Sequence, residues 1–296
     1  MLRTTATIAI GARARATDYV ALAKPRLNLL VVASAVAGYA MARGDTGNVP
    51  VLLATIAGTA LVAGGASGFN QIIERDSDAL MRRTRQRPLP DGRMTAAEAA
   101  AFSAALSLAG LLILAPGVNL LSAAVALATL GSYAVVYTPL KRRTSFATVI
   151  GAIPGALPPV IGWAAAANVL SQGAWVLFGI LFLWQLPHFL AIAWMYREDY
   201  ARAGLPMLPV LEPDGRSTAR QAVVYTAALL PLALAPTLVG MSGSVYFAGA
   251  LVLTLLFLAM SIRFALTRAV RDARRLFFTS ITYLPILWAL MIVDRT

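Results

Sequence analysis

An all-α membrane protein of nine transmembrane helices enclosing a central cavity is the fold class the sequence predicts, with the N-terminus cytoplasmic and the C-terminus on the opposite side. Three observations carry this expectation. Hydrophobic residues make up 59% of the 296 positions and charged residues only 13%, against about 25% charged in an ordinary soluble domain. Stretches free of Asp, Glu, Lys and Arg recur along the chain at lengths that fit one or two membrane crossings. Finally, the basic residues gather on alternate connections, as the positive-inside rule requires of a polytopic protein.

The elements follow in order from the charge-free stretches, since a spanning helix needs about 20 apolar residues. Span one is 27–42, short unless Lys24 and Arg26 snorkel at its end. Span two is 46–73. The stretch 99–140 holds spans three and four, divided at Ala115-Pro116-Gly117-Val118-Asn119, and 144–196 holds spans five and six, divided near Asn168 to Gly173. Spans seven and eight share 221–262 and part at Gly240-Met241-Ser242-Gly243-Ser244, each division being a local turn signal. Span nine is 276–293. Within span five, Gly151 to Gly162 carries Pro154, Pro158 and Pro159, too broken for a straight lipid-facing helix and suited to lining a cavity.

Nine spans put the termini on opposite sides. The segments on the N-terminal side (1–26, 74–98, 141–143, 197–220 and 263–275) carry 23 of the 25 basic and 11 of the 13 acidic residues. The net charge of +12 therefore lies on one face, which predicts that this face is cytoplasmic and that the excess records topology rather than a nucleic-acid partner. Residues 1–23 read as a basic cytoplasmic tail; Arg3, Arg13 and Arg15 also faintly resemble an organelle transit peptide. The chain has no cysteine, which excludes disulfides, thiolate metal sites and cysteine nucleophiles.

The chemistry is expected in two connections on that face, 71–98 and 197–220. If span two continues as helix past the membrane surface, Asn70, Glu74 and Asp78 fall at i, i+4 and i+8 on one side. An amide and two carboxylates suit Mg²⁺, which takes oxygen ligands and is held by one or two carboxylates plus substrate phosphates. Asp76 points off that side and would join through water. Arg82, Arg83, Arg85 and Arg87 follow, either as topology determinants or as guanidinium forks for phosphate oxygens.

In the second connection Glu198 and Asp199 could serve a second Mg²⁺, or be interfacial charges paired to Arg197 and Arg202. Lys141, with Arg142 and Arg143, is equally a diphosphate ligand or a topology signal. His188 is the only histidine and lies inside an apolar span. There an ionisable side chain is a functional candidate, or else a neutral ring bonded between helices. Pro187 beside it is expected to loosen the helix.

The segment Asn70 to Pro90 resembles the first aspartate-rich motif of the intramembrane UbiA-type prenyltransferases, Asn-Asp-x-x-Asp-x-x-x-Asp followed by Arg-Thr-x-x-Arg-Pro. Several segments resemble the heme-modifying branch of that superfamily: Lys24-Pro25-Arg26, Met81-x-Arg83-Thr84 with Arg87-Pro88, Tyr137-Thr138-x-Leu140-Lys141-Arg142, and Gly155-Ala156-x-Pro158-Pro159-x-Ile161-Gly162-Trp163. Trp184-Gln185-x-Pro187-His188-Phe189 and Asp199-Tyr200 with Met207-Leu208-Pro209 continue the match, which spans about 24–210. Two departures stand out. Gln71 occupies a position that is often Asp, and Glu74 replaces the usual Asp with a carboxylate one methylene further out.

The resemblance implies a single polytopic prenyltransferase domain over 1–296, with 71–98 and 197–220 as catalytic loops. It implies transfer of a farnesyl group from farnesyl diphosphate to a vinyl carbon of heme b, with Mg²⁺ as cofactor. It further implies that Asn70, Glu74, Asp78, Lys141 and Asp199 take part in catalysis. Arg26, Arg83, Arg87, Tyr137, Arg142, His188 and Tyr200 would bind substrate, and Asn70, Glu74, Asp76, Asp78, Glu198 and Asp199 would hold metal. The expected setting is the lipid bilayer of the cell inner membrane, or the mitochondrial inner membrane in a eukaryote, with the product passed to a heme A synthase or terminal oxidase.

Three rivals remain. A quinone-type aromatic prenyltransferase would use the same metal chemistry on a phenol. A transporter would need intramembrane carboxylates, whereas the acids here lie in the connections. A heme carrier without catalysis would leave the acidic helix face unexplained.

Overall fold

The structure, a computed structural model, describes residues 15–42 and 47–296. The expected tail segment 1–14, with Arg3 and Arg13, and positions 43–46 of the first opposite-face connection lie outside the described residues. Among the described residues nine helices are long and apolar enough to cross a membrane, and the protein is a multi-pass membrane protein. They are α1 (Arg15–Met41), α2 (Val49–Leu80), α3 (Ala96–Gly117), α4 (Leu120–Leu140), α5 (Ala147–Ala167), α6 (Gln172–Met195), α7 (Arg216–Leu238), α8 (Ser244–Thr267) and α9 (Val270–Val293). The three divisions expected within long apolar stretches fall between α3 and α4, α5 and α6, and α7 and α8.

Several helix starts have a local cause. Thr95 and Glu98 form a reciprocal capping box at α3, Asn48 accepts the Val51 N–H at α2, and Asn119 accepts the Ser122 N–H at α4. At the far end of the molecule Asp294 accepts the Tyr246 N–H at the start of α8, 2.7 Å away. Arg295 donates to the carbonyls of Ala40 and Ala42 at 2.7 and 3.0 Å. This ties the last residues of the chain to the end of α1.

Small residues let helix backbones meet where no apolar driving force separates helix from lipid. A methyl group added to Gly65 would overlap Ser107 Oγ on α3, and one added to Gly162 would overlap the Ala35 carbonyl oxygen on α1. The α1–α5 and α2–α3 crossings are therefore set by absent side chains.

Three helices are irregular in ways that shape the site. Residues 15–23 are helical rather than a simple tail, and Lys24 then adopts a left-handed conformation (φ 49°, ψ 55°) immediately before Pro25. Lysine pays steric strain there, and Asn28 Nδ2 bridges the break to the Ala23 carbonyl at 2.6 Å. In α4, residues Ser132–Tyr137 form a π-helical turn. Pro139 has no N–H to offer the Val135 carbonyl, and the Thr138 N–H reaches back to the Tyr133 carbonyl instead. The wider turn aligns Tyr133 and Tyr137, whose ring centroids are 5.4 Å apart. In α5 the helices Ala147–Ala156 and Pro158–Ala167 meet at Leu157. Pro187 sits inside α6, which is helical from Gln172 to Met195, so the backbone bond it cannot make does not end the helix.

Candidate functional site

The ends of α1, α2, α4 and α6 on the basic side converge. Helix α2 runs on to Leu80, so residues 71–80, expected as part of a loop, are its last turns. Asn70, Glu74 and Asp78 share a buried face at 4%, 5% and 0% exposure. Burial of two carboxylates requires partners, and each has one. Glu74 Oε1 is 2.9 Å from Lys141 Nζ, and Asp78 Oδ2 is 2.5 Å from an Arg87 guanidinium nitrogen. Asn70 Oδ1 lies 3.4 Å from Lys24 Nζ, while its amide donates to Thr138 Oγ1 at 3.3 Å.

The segment after α2 curls back for a reason visible in its sequence. Thr84, buried, donates its hydroxyl to the Asp78 carbonyl at 2.8 Å, and turn bonds from Thr84 and Arg87 amides carry Arg87 onto the Asp78 carboxylate. Met81 packs with Ala193, Tyr200, Leu205 and Met207 in a small core of its own, which joins the two connections. Asp199, on the short helix Arg197–Arg202, accepts the Arg82 N–H at 3.4 Å and pairs with Arg202. Arg83 donates to the Tyr200 hydroxyl at 3.2 Å and stands over the Tyr200 ring at 5.3 Å.

Lys141 lies just beyond α4. Burial works to lower its pKa, but Tyr137, Glu74 and Tyr200 around the ammonium outweigh that and raise it above the ordinary lysine value. It is a fixed positive charge in the neutral range.

Lys24 lines two hollows. One, of about 310 Å³, is polar and cationic, lined among others by Lys24, Gln71, Arg83, Arg87 and Arg93. The other, of about 270 Å³, reaches between the helices and is lined by Val31, Ala63, Tyr133, Pro154, Gly155 and Phe189 beside Lys24 and Leu27.

Several expected site residues stand elsewhere. Asp76 is exposed and paired to Arg75, because i+2 from Glu74 lies on the far side of α2. Glu198, Arg26 and Arg142 are exposed. Asp199 ties the two connections together instead of reaching the α2 acids. Among the described residues no three His, Cys, Asp or Glu side chains are grouped as a metal cage. His188 does not line the cavity; it packs toward α9, with Nδ1 2.7 Å from Ser280 Oγ. In the other direction, Lys24 turns inward to Asn70 where snorkelling was expected. Tyr133 and Phe189 line the apolar hollow although spacing alone did not single them out; for Lys24 the available signal was the Lys24-Pro25 step.

The UbiA prenyltransferase family pattern matches residues 31–282. The chain belongs to the UbiA prenyltransferase family. Its UbiA relatives include a protein named protoheme IX farnesyltransferase from Solibacter usitatus, 53% identical over 94% of this chain and 98% of that one. Another of that name, from Koribacter versatilis, is 45% identical over 94% and 93%. The chain is thus a transferase. Among solved UbiA-like structures, a digeranylgeranylglyceryl phosphate synthase superposes with a TM-score of 0.78 at 18% identity, covering 94% of this chain and 97% of that one. A UbiA homologue from Archaeoglobus fulgidus bound to GPP and Mg²⁺ gives 0.65 at 17% identity over 93% and 99%. At such identities these two establish the fold alone.

Proposed function

We propose that this UbiA-family transferase moves a farnesyl group from farnesyl diphosphate to a vinyl carbon of heme b, giving heme O. The observation that carries the donor half is the position of Lys24, which with Leu27 lines both a cationic hollow and an apolar one. The names of the close relatives support heme b as acceptor and farnesyl as donor.

Lys24, Arg83, Arg87 and Lys141 would bind the diphosphate. The C1–O bond breaks, and negative charge grows on the departing oxygens, so fixed cations stabilise the transition state more than the ground state. The apolar hollow would hold the tail and keep water from the allylic cation until the vinyl carbon bonds to C1. Water then adds to the resulting cation and loses a proton to the released diphosphate, balancing heme b, farnesyl diphosphate and water against heme O and diphosphate.

The residues fit a Mg²⁺ ion. Asp78 Oδ1 is buried without a hydrogen-bond partner, its other oxygen is paired to Arg87, which lines the cationic hollow, and Mg²⁺ needs only one or two protein carboxylates when a diphosphate supplies the rest. Asn70, Glu74 and Asp78 would hold it, and the ion would supply further positive charge to the leaving group. The related Archaeoglobus fulgidus structure with GPP and Mg²⁺ supports this reading. We place the basic face in the cytoplasm and the protein in the cell inner membrane, as one domain whose product passes to a heme A synthase or terminal oxidase. In a eukaryote the mitochondrial inner membrane would take that place.

The test is a purified, bilayer-reconstituted protein given Mg²⁺, farnesyl diphosphate, heme b and 4-hydroxybenzoate together, with products identified by mass. Heme O is expected. Prenylation of the phenol alone overturns the acceptor assignment.

A further inference from the structure

Lys24 is held by α2 at two points. Its ammonium lies 3.4 Å from Asn70 Oδ1. The next residue of α2, Gln71, reaches the backbone two residues before Lys24, where its Nε2 donates to the Leu22 carbonyl at 2.7 Å. The same nitrogen donates to the Ser67 carbonyl, one turn back on its own helix, at 3.2 Å. Two carbonyl oxygens close around one end of the side-chain amide, so that end is the NH₂. Gln71 and Leu22 are buried, and Gln71 forms part of the wall of the cationic hollow with Lys24 and Arg87.

The break in α1 explains why an amide stands there. In an uninterrupted helix the Leu22 and Ala23 carbonyls would accept from the N–H groups of Arg26 and Leu27. At the left-handed Lys24 the chain turns away, and the Leu27 N–H goes to the Lys24 carbonyl at 3.1 Å. Side-chain amides take both carbonyls, Asn28 that of Ala23 and Gln71 that of Leu22, as burial of a backbone oxygen requires. The two amides fix different things. Asn28 belongs to α1 and closes the break locally, whereas Gln71 belongs to α2 and sets where on α2 the break rests. A carboxylate, the group often found at this position of the aspartate-rich motif, has no proton to donate and could not make the bond.

We propose that Gln71 is a positioning residue for the diphosphate: by tying the Leu22 carbonyl to α2 it holds the Lys24 ammonium beside Asn70, on the wall of both hollows. This rests on the reading of Lys24 as a diphosphate ligand. The alternative is an amide that only caps the first part of α1 and stabilises the fold without acting on substrate.

Full-length protein reconstituted in bilayers is titrated with farnesyl diphosphate, with Mg²⁺ and without acceptor, as the parent, Gln71→Met, Lys24→Met and the double variant. Methionine keeps the length of either side chain and removes its donors. Each single variant is expected to bind farnesyl diphosphate on the order of tenfold more weakly. The double variant should bind no more weakly than Lys24→Met alone, because Gln71 acts through the Lys24 ammonium. In turnover the loss appears in KM for farnesyl diphosphate, with KM for heme b unchanged. Gln71→Asn, whose amide falls one methylene short of Leu22, serves if the methionine variant does not fold, and the same dependence on Lys24 is expected of it. Unchanged affinity in the Gln71 variants, or an equal further loss on top of Lys24→Met, overturns the positioning role even if the unfolding temperature falls. Unchanged affinity in Lys24→Met overturns the diphosphate reading of Lys24 instead, whatever the Gln71 variants do.

Discussion

Lys141 Nζ and Glu74 Oε1 form a 2.9 Å ion pair whose two side chains are only 11% and 6% exposed. It joins the end of α4 to the acidic face of α2 at the level where Asn70 meets Lys24. A buried pair of this kind does little for stability as a whole but is costly to break from one side.

Lys141→Met leaves Glu74 buried without its cation, and is expected to cost about 3–5 kcal/mol of stability together with most activity. Glu74→Gln in the same protein should recover part of the stability and none of the activity. Thermal unfolding in detergent measures the first effect and product formation the second. Because the Lys141 pKa is raised in the folded protein, its contribution is fully present below the unfolded value of about 10.4 and is lost only as pH rises through the raised one. The contribution of Lys141 to the parent's stability should therefore stay flat from about pH 6 to 9.

Asp78→Asn keeps the size and one acceptor for Arg87 but removes the charge at the unpartnered Oδ1 position. Turnover is expected to fall by on the order of 100-fold, with the Mg²⁺ concentration for half-maximal activity rising. An unchanged Mg²⁺ dependence would remove Asp78 from the metal reading.

Lys24→Gly separates strain from charge. Glycine tolerates φ 49° where lysine pays, so the unfolding temperature should hold or rise. Loss of the amine beside Asn70 should raise KM for the prenyl diphosphate by on the order of tenfold, as for one charge-assisted contact, with KM for the acceptor unchanged.

Gly162→Ala places a methyl against the Ala35 carbonyl, where backbone faces backbone and nothing flexible can move aside. A loss of about 1–3 kcal/mol is expected, seen as lower folded yield and earlier thermal unfolding, whereas Gly131→Ala, in open space, should be neutral or slightly stabilising.

Much of this architecture is legible in the chain. Charged side chains are expensive in hydrocarbon and turn residues mark helix ends, so the divisions at Ala115–Asn119, Asn168–Gly173 and Gly240–Ser244 could be placed to within a few residues. Helical spacing put Asn70, Glu74 and Asp78 on one face and Asp76 off it, because the angle between residues on a single helix depends on sequence separation alone. The broken stretch Gly151 to Gly162 announced a cavity wall, and Pro154 and Gly155 are found there.

Other features depended on neighbours far away in sequence. Lys24 turns inward because Asn70 of α2 and the Asn28 bridge make a place for it, and Asp199 is drawn to the Arg82 amide by the packing of Met81 on Tyr200. His188 faces Ser280 of α9, 92 residues on. The sequence by itself determined the number of crossings, the charge asymmetry between faces and the relative angles along each helix, since these are local consequences of hydropathy and helical pitch. Only the tertiary structure decided which helix faces meet, and so which acid found Lys141, which cation lines both hollows and which residue of α9 meets His188, because those depend on close packing between helices that no single-helix period encodes.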